Sequence, residues 1–137
     1  MDIIENLDFR VEKIIKTFFP GSLTIILKVN KNFKSVYKWE EDTVGLRIPK
    51  NELLLKILDI IKKPLFVTSA NISGDAKIYD FKKLLDVFSE TVDFIVEETD
   101  EKSGVPSTII DLSNNDIKFL REGEITKQKI LDIWTSE

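Results

Sequence analysis

Short runs rich in β-branched and aromatic residues alternate along this chain with stretches of helical period. That alternation predicts an α/β fold. Leu7, Val11, Ile14, Ile15 and Phe18 recur at helical spacing, giving an amphipathic first helix that Pro20 and Gly21 stop. Residues 23–29 read as a central strand, and residues 43–48 as a second, ended by Pro49. Leu54, Leu55, Leu58 and Ile61 put one apolar face on a helix over 51–61. Leu65, Phe66 and Val67 are consecutive apolar positions, so residues 64–68 predict a buried third strand. Asp80 is placed to cap a helix over 80–87. Strands over 94–97, 107–112 and 118–120 follow, then a helix from about Thr126 that packs Ile130, Leu131 and Trp134. No helix separates the last three strands, so the sheet is expected to be mixed. At 137 residues, a single domain over 1–137 is the expectation.

The strand expected at 64–68 runs into Ser69, Ala70, Asn71, Ile72, Ser73 and Gly74. Two readings are open. Ser69 and Asn71 could bond their own backbone in a turn. Alternatively, small donors gather at a strand's carboxyl end, where open α/β sheets bind ligands, and suit a phosphate or another anion. Arg47 lies between Leu46 and Ile48, so strand alternation sets it on the face opposite Val44. That face is either solvated or a binding face. Ser107 and Thr108 open a strand. Arg121 closes one just before Gly123, where it either balances Glu122 and Glu124 or meets a ligand. Gly21, Gly45 and Gly123 read as backbone features that permit turns or close approach. Lys28, Lys31, Lys34 and Lys38 accompany Phe33, Tyr37 and Trp39; the adjacent Glu40, Glu41 and Asp42 favour a solvated face over core aromatics rather than a nucleic-acid strip. Two polar loops, 75–79 and 99–106, are candidate lids.

Composition removes several chemistries. The chain has no cysteine and no histidine, so disulfides, thiolate nucleophiles and histidine bases are excluded, and neither zinc nor haem is expected. Proton transfer would fall to carboxylates, hydroxyls, lysine, water or the substrate. A net charge of −4 gives no support to nonspecific nucleic-acid binding. No apolar run is long enough to span a bilayer, and the first residues lack the pattern of a signal peptide; no membrane partner and a cytoplasmic location are expected.

Five blocks carry a family resemblance: Phe-Pro-Gly-Ser-Leu-Thr at 19–24, Thr-Val-Gly-Leu-Arg-Ile-Pro at 43–49, Thr-Ser-Ala-Asn-Ile-Ser-Gly at 68–74, Ser-Thr-Ile-Ile-Asp at 107–111 and Leu-Arg-Glu-Gly at 120–123. In this order they resemble the YrdC/TsaC family, the L-threonylcarbamoyladenylate synthases, from about Phe18 to the C-terminus. The resemblance implies a twisted open sheet of mixed parallel and antiparallel strands, flanked by helices and truncated at its N-terminus. It implies a reaction that joins L-threonine, bicarbonate and ATP into threonylcarbamoyl-adenylate and releases pyrophosphate, for t⁶A modification of tRNA. Ser69, Asn71 and Arg121 would then hold the nucleotide phosphates. Arg47 and Ser107 would hold L-threonine. Mg²⁺ would accompany ATP, with Ser69 and Asn71 helping to place it and no residue sufficing as its ligand set.

The chain also departs from that pattern. Family members carry a Pro-Thr-x-Thr-x-Tyr-Gly-Leu stretch and a Lys-x-Arg pair before the first of these blocks, and the residues before Phe18 match neither. Loss of one preorganised charge contact costs ~10²–10³ in rate, so catalysis by this chain alone is expected to be incomplete, with a second chain supplying or covering the missing part. Ser22 stands where the family usually has proline. Two other functions are consistent with the resemblance: a non-catalytic module for double-stranded RNA or tRNA, and carbamoyl transfer as in HypF-type relatives, which add cysteine-rich zinc sites that this chain lacks.

Overall fold

The computed structural model describes residues 3–4, 7–76, 78–97, 105–114 and 116–136. Among them are α1 (Phe9–Phe18), β1 (Leu23–Lys28), α2 (Lys31–Tyr37), β2 (Thr43–Leu46), α3 (Glu52–Ile61), α4 (Phe81–Phe88), β3 (Thr108–Asn114), β4 (Asp116–Arg121) and α5 (Lys127–Thr135). The chain divides into two compact units, Met1–Ile61 with Gly104–Glu137, and Lys62–Ser103.

The first unit holds a four-stranded sheet in the order β2-β1-β3-β4. The central pair β1 and β3 is parallel, and both outer pairs are antiparallel. The mixed α/β fold expected from the last strands is therefore present. Period-two alternation sorts the sheet into two faces. Leu23, Ile25, Leu27, Ile110 and Leu112 are buried together on one face, beneath Val11 and Ile14 of α1 and Ile130 and Trp134 of α5. Asp8 caps α1 by accepting from the Arg10 N–H at 2.8 Å. The Arg10 guanidinium binds the same carboxylate at 2.8 Å and lies 4.4 Å from the Trp134 ring centre, so it fastens the start of α1 to α5. The guanidinium's hydrogen bond is the main reason the Asp8 carboxyl titrates below its ordinary range. A smaller cluster of Val29, Phe33 and Val44, with Tyr37 and Trp39 against it, closes the far end.

Helix α2 is not anticipated by the sequence reading. Asn30 caps it by accepting from the Phe33 N–H at 2.7 Å, and Lys38 ends it in the left-handed region at φ 50°. The lysines of this stretch do form a solvated face over buried Phe33. Asp42 accepts from Lys34 at 2.6 Å, which draws the Asp42 carboxyl below its ordinary range.

In the second unit Asp80 caps α4, accepting from the Lys83 N–H at 2.8 Å. Two expectations fail here. Residues 64–68 and 94–97 form no strand. Val67 and Phe94 are each 88% exposed, and Leu65 47%. A strand is completed by a neighbour's ladder, and a β-rich local sequence alone cannot supply one. The strand expected at 118–120 does form, lengthened to Asp116–Arg121. No described helix is long and apolar enough to cross a membrane.

Candidate functional site

The second face of the sheet carries the polar residues. β1 places Thr24 and Ile26 there, and β3 places Ile109 and Asp111. Gly45 lies opposite Ile26, and Arg47 follows one step past the Ile25–Leu46 pair, beside Thr24. Arg121 reaches this face through an irregularity. Phe119 pairs with Ile110 and packs on the core, so plain alternation would turn Arg121 toward the core as well. Instead Arg121 pairs with Ile109, leaving Leu120 as an extra residue. That β-bulge re-aims the guanidinium onto the face of Thr24 and Ser107.

The side chains then converge. Arg121 donates to the Ser107 carbonyl oxygen from Nε at 2.9 Å and from Nη2 at 2.7 Å, and to Ser107 Oγ at 3.1 Å. Ser107 Oγ lies 3.2 Å from Thr24 Oγ1. Arg47 donates from Nε to the Gly21 carbonyl at 3.1 Å. Neither arginine meets a carboxylate among the described residues. Glu122 instead accepts from the Lys127 N–H at 2.9 Å, and Glu124 accepts from the Ser22 hydroxyl, so the balance of Arg121 by these acids is not what the structure shows. Each guanidinium is held by a backbone carbonyl through one edge and keeps donors for an incoming oxyanion.

Close backbone contact makes this possible. Gly123 donates its N–H to Thr108 Oγ1 at 2.9 Å, and Glu124 donates its N–H to the Pro106 carbonyl at 3.1 Å. A Cβ on Gly123 would lie 2.0 Å from that carbonyl oxygen. The glycine is required by proximity.

Ser69 and Asn71 belong to the second unit. Asn71 donates from Nδ2 to the Ile72 carbonyl at 2.8 Å and to the Asp75 carbonyl at 3.1 Å. Ile78 closes the loop by donating to the Ala70 carbonyl at 3.1 Å. The turn reading is thus correct for the Asn71 amide nitrogen. Its Oδ1 is buried without a partner among the described residues, which leaves one acceptor unsatisfied there. Ser69 is exposed. An amide oxygen and a hydroxyl fit an Mg²⁺ ion only as a minority of its ligands, the rest coming from water and phosphate. The loop expected at 99–106 lies mostly outside the described residues, as does Lys77 within 75–79.

Of the residues singled out from sequence, Ser107 and Arg121 are brought into direct contact. Arg47 shares their face. Sequence reasoning missed Thr24 and the Leu120 bulge. Thr24 carried a signal, since it is the lone hydroxyl in an aliphatic run; the bulge carried none.

The fold is thus a mixed α/β sheet that carries two arginines and two hydroxyls on the face away from its core. The chain belongs to the Sua5/YciO/YrdC family: the family model, described as "Telomere recombination", matches residues 2–123. It is 31% identical over 119 residues to the threonylcarbamoyl-AMP synthase of Pyrococcus abyssi, covering 87% of this chain and 35% of that protein. It is 37% identical over 119 residues to a putative threonylcarbamoyl-AMP synthase of Methanocaldococcus jannaschii, covering 87% of this chain and 55% of the relative. The solved structure of P. abyssi Sua5 complexed with L-threonine superposes with a TM-score of 0.83 at 28% identity, over 96% of this chain and 39% of the other. Escherichia coli YciO gives 0.74 at 26% identity, over 93% and 62%. The chain therefore spans about a third to just over half the length of these curated relatives.

Proposed function

We propose that this chain binds the substrates of a threonylcarbamoyl-AMP synthase. L-threonine, bicarbonate and ATP would combine there into threonylcarbamoyl-adenylate, with pyrophosphate leaving. The observation that carries this reading is the polar face of the sheet, where Arg47, Thr24, Ser107 and Arg121 lie and neither arginine is ion-paired to a carboxylate among the described residues. The threonine complex of the P. abyssi relative supports the amino acid as ligand. Arg47 offers a planar fork to its carboxylate, and the Ser107 hydroxyl a donor and acceptor to its polar groups. Arg121 takes a phosphate oxygen of ATP. Ser69 and Asn71 serve the nucleotide phosphates and the Mg²⁺ that accompanies them. With no histidine or cysteine, the contribution of these residues is positioning and charge stabilisation. The product would feed tRNA modification.

The test is a calorimetric titration of the chain with Mg-ATP, with and without L-threonine and bicarbonate. Saturable binding that tightens with threonine is expected. Arg121→Ala should weaken ATP, and Arg47→Ala should weaken threonine, each by about 10–100-fold, the size of a lost charge-assisted hydrogen bond. Absence of any saturable heat up to millimolar ligand would remove substrate binding from this chain. Unchanged affinities in both variants would move the site elsewhere.

A further inference from the structure

We propose that Thr108 is a positioning residue for Arg121. Its side chain is fully buried, at 0% exposure, yet it ends in a hydroxyl. A buried hydroxyl is kept when it bonds well, and this one makes two bonds. It donates to the Ile125 carbonyl and accepts the Gly123 N–H at 2.9 Å. Both partners belong to the turn that follows β4. The Thr108 N–H donates in turn to the Ser22 carbonyl at 2.9 Å, which fixes Thr108 to the start of β1.

The consequence falls on Arg121. Past the bulge at Leu120 the ladder makes one more pair, Arg121 with Ile109, and ends, so strand pairing does not hold the turn that follows and steadies Arg121 from one side only. Past Arg121, residues 123–125 are held by the Thr108 hydroxyl, by the Glu124 N–H on the Pro106 carbonyl and by the Ser22 hydroxyl on the Glu124 carboxylate. With that turn clamped, the guanidinium lies across Ser107, bonding both its carbonyl and its hydroxyl. Thr108 touches no ligand in this scheme; it acts through the turn. The importance of Arg121 to binding rests on the function proposed above, but its placement by Thr108 does not.

The experiment therefore reads placement without any ligand. In ¹⁵N-labelled chain, the Arg121 Nε–H signal is assigned and its exchange with water measured. Thr108→Val keeps the shape and deletes the hydroxyl. It should speed that exchange about tenfold or more, the effect of losing one buried hydrogen bond, while the amide spectrum stays folded. Thr108→Ser keeps the hydroxyl and should restore the wild-type rate. Unchanged exchange in Thr108→Val overturns the proposal. So does a Thr108→Ser variant as fast as Thr108→Val, which would assign the effect to the methyl group. Should Thr108→Val not fold, the wild-type Thr108 hydroxyl proton decides: slow exchange, as for a proton donated inside the core, supports the clamp, and rapid exchange overturns it. Titration with Mg-ATP is run separately, so a chain that binds nothing but passes this test loses the functional reading and keeps this one.

Discussion

Two glycines, Gly45 in β2 and Gly123 in the turn after β4, meet opposite surroundings, and the contrast can be measured. A methyl group on Gly123 would lie 2.0 Å from the Pro106 carbonyl oxygen and 2.7 Å from the Ser107 carbonyl carbon. Backbone atoms cannot yield as a side-chain tip can, so the turn must open. One on Gly45 would meet the Thr24 methyl at 3.5 Å, an ordinary contact. Gly123→Ala should therefore destabilise by roughly 1–3 kcal/mol, the range for overpacking, while Gly45→Ala stays within a few tenths. Urea melts of both variants check this; equal losses would mean that the 106–108 backbone accommodates the methyl. The same residues show what was legible in the sequence. Arg47 stood out as a polar residue in an apolar strand, and Ser107 and Arg121 as the opening and closing residues of strands inside the family blocks. That Arg121 would grip Ser107 was not legible, because it depends on one extra residue in β4 whose effect exists only across a strand pair.

At the scale of elements, local signals sufficed where an element completes itself. Helix α1 is written in its apolar period and in Asp8, whose carboxylate satisfies a free N–H of the first turn. Helices α3 and α4 carry similar marks, α5 shows the apolar period without a side-chain cap bond, and α2 was hidden because its apolar residues sit among lysines. The failed strands at 64–68 and 94–97 have the right residues, but a strand is a relation between two segments. The cap of α1 gives a prediction with a pH sign. Hydrogen bonding from Arg10 lowers the Asp8 carboxyl below the ordinary 3.8, so the ionised group stabilises the fold above that pH. The contribution is lost as pH falls through the lowered value. Asp8→Asn keeps an N-cap oxygen but loses the ion pair with Arg10. Its thermal midpoint should fall below wild type near neutrality, and the gap should close below pH 3.8. Asp8→Ala, which also loses the cap, should fall further. A gap that persists undiminished in acid would show that the charge is not its source.

For the whole molecule, burial is unevenly shared. Leu23, Ile25 and Ile110 are at 0% exposure in two central strands that are paired on both sides. The unit Lys62–Ser103 has its helix, but Val67, Tyr79 and Phe94 are 87–88% exposed. Backbone amides exchange with solvent by whatever opening costs least, and few apolar contacts mean a small cost. Hydrogen exchange should therefore be slowest at Ile25 and Ile110, limited there by global unfolding. It should be near the rate of an unstructured chain at Val67, Thr68 and Val96, and intermediate along α4. The same measurement bears on function. Asn71 Oδ1 is a buried acceptor without a partner among the described residues, in a loop that Ile78 closes by donating to the Ala70 carbonyl. If that loop receives the nucleotide, Mg-ATP should slow exchange at Asn71 and Ile78 while leaving Ile25 at its global limit or raising that limit by the binding energy. Protection appearing around β1 and β4 alone would place the anion on the arginines of the sheet and leave the 69–78 loop with a structural role. Uniform protection across 64–97 before any ligand is added would mean that these apolar segments already have partners in solution, and the strands expected there would be formed after all.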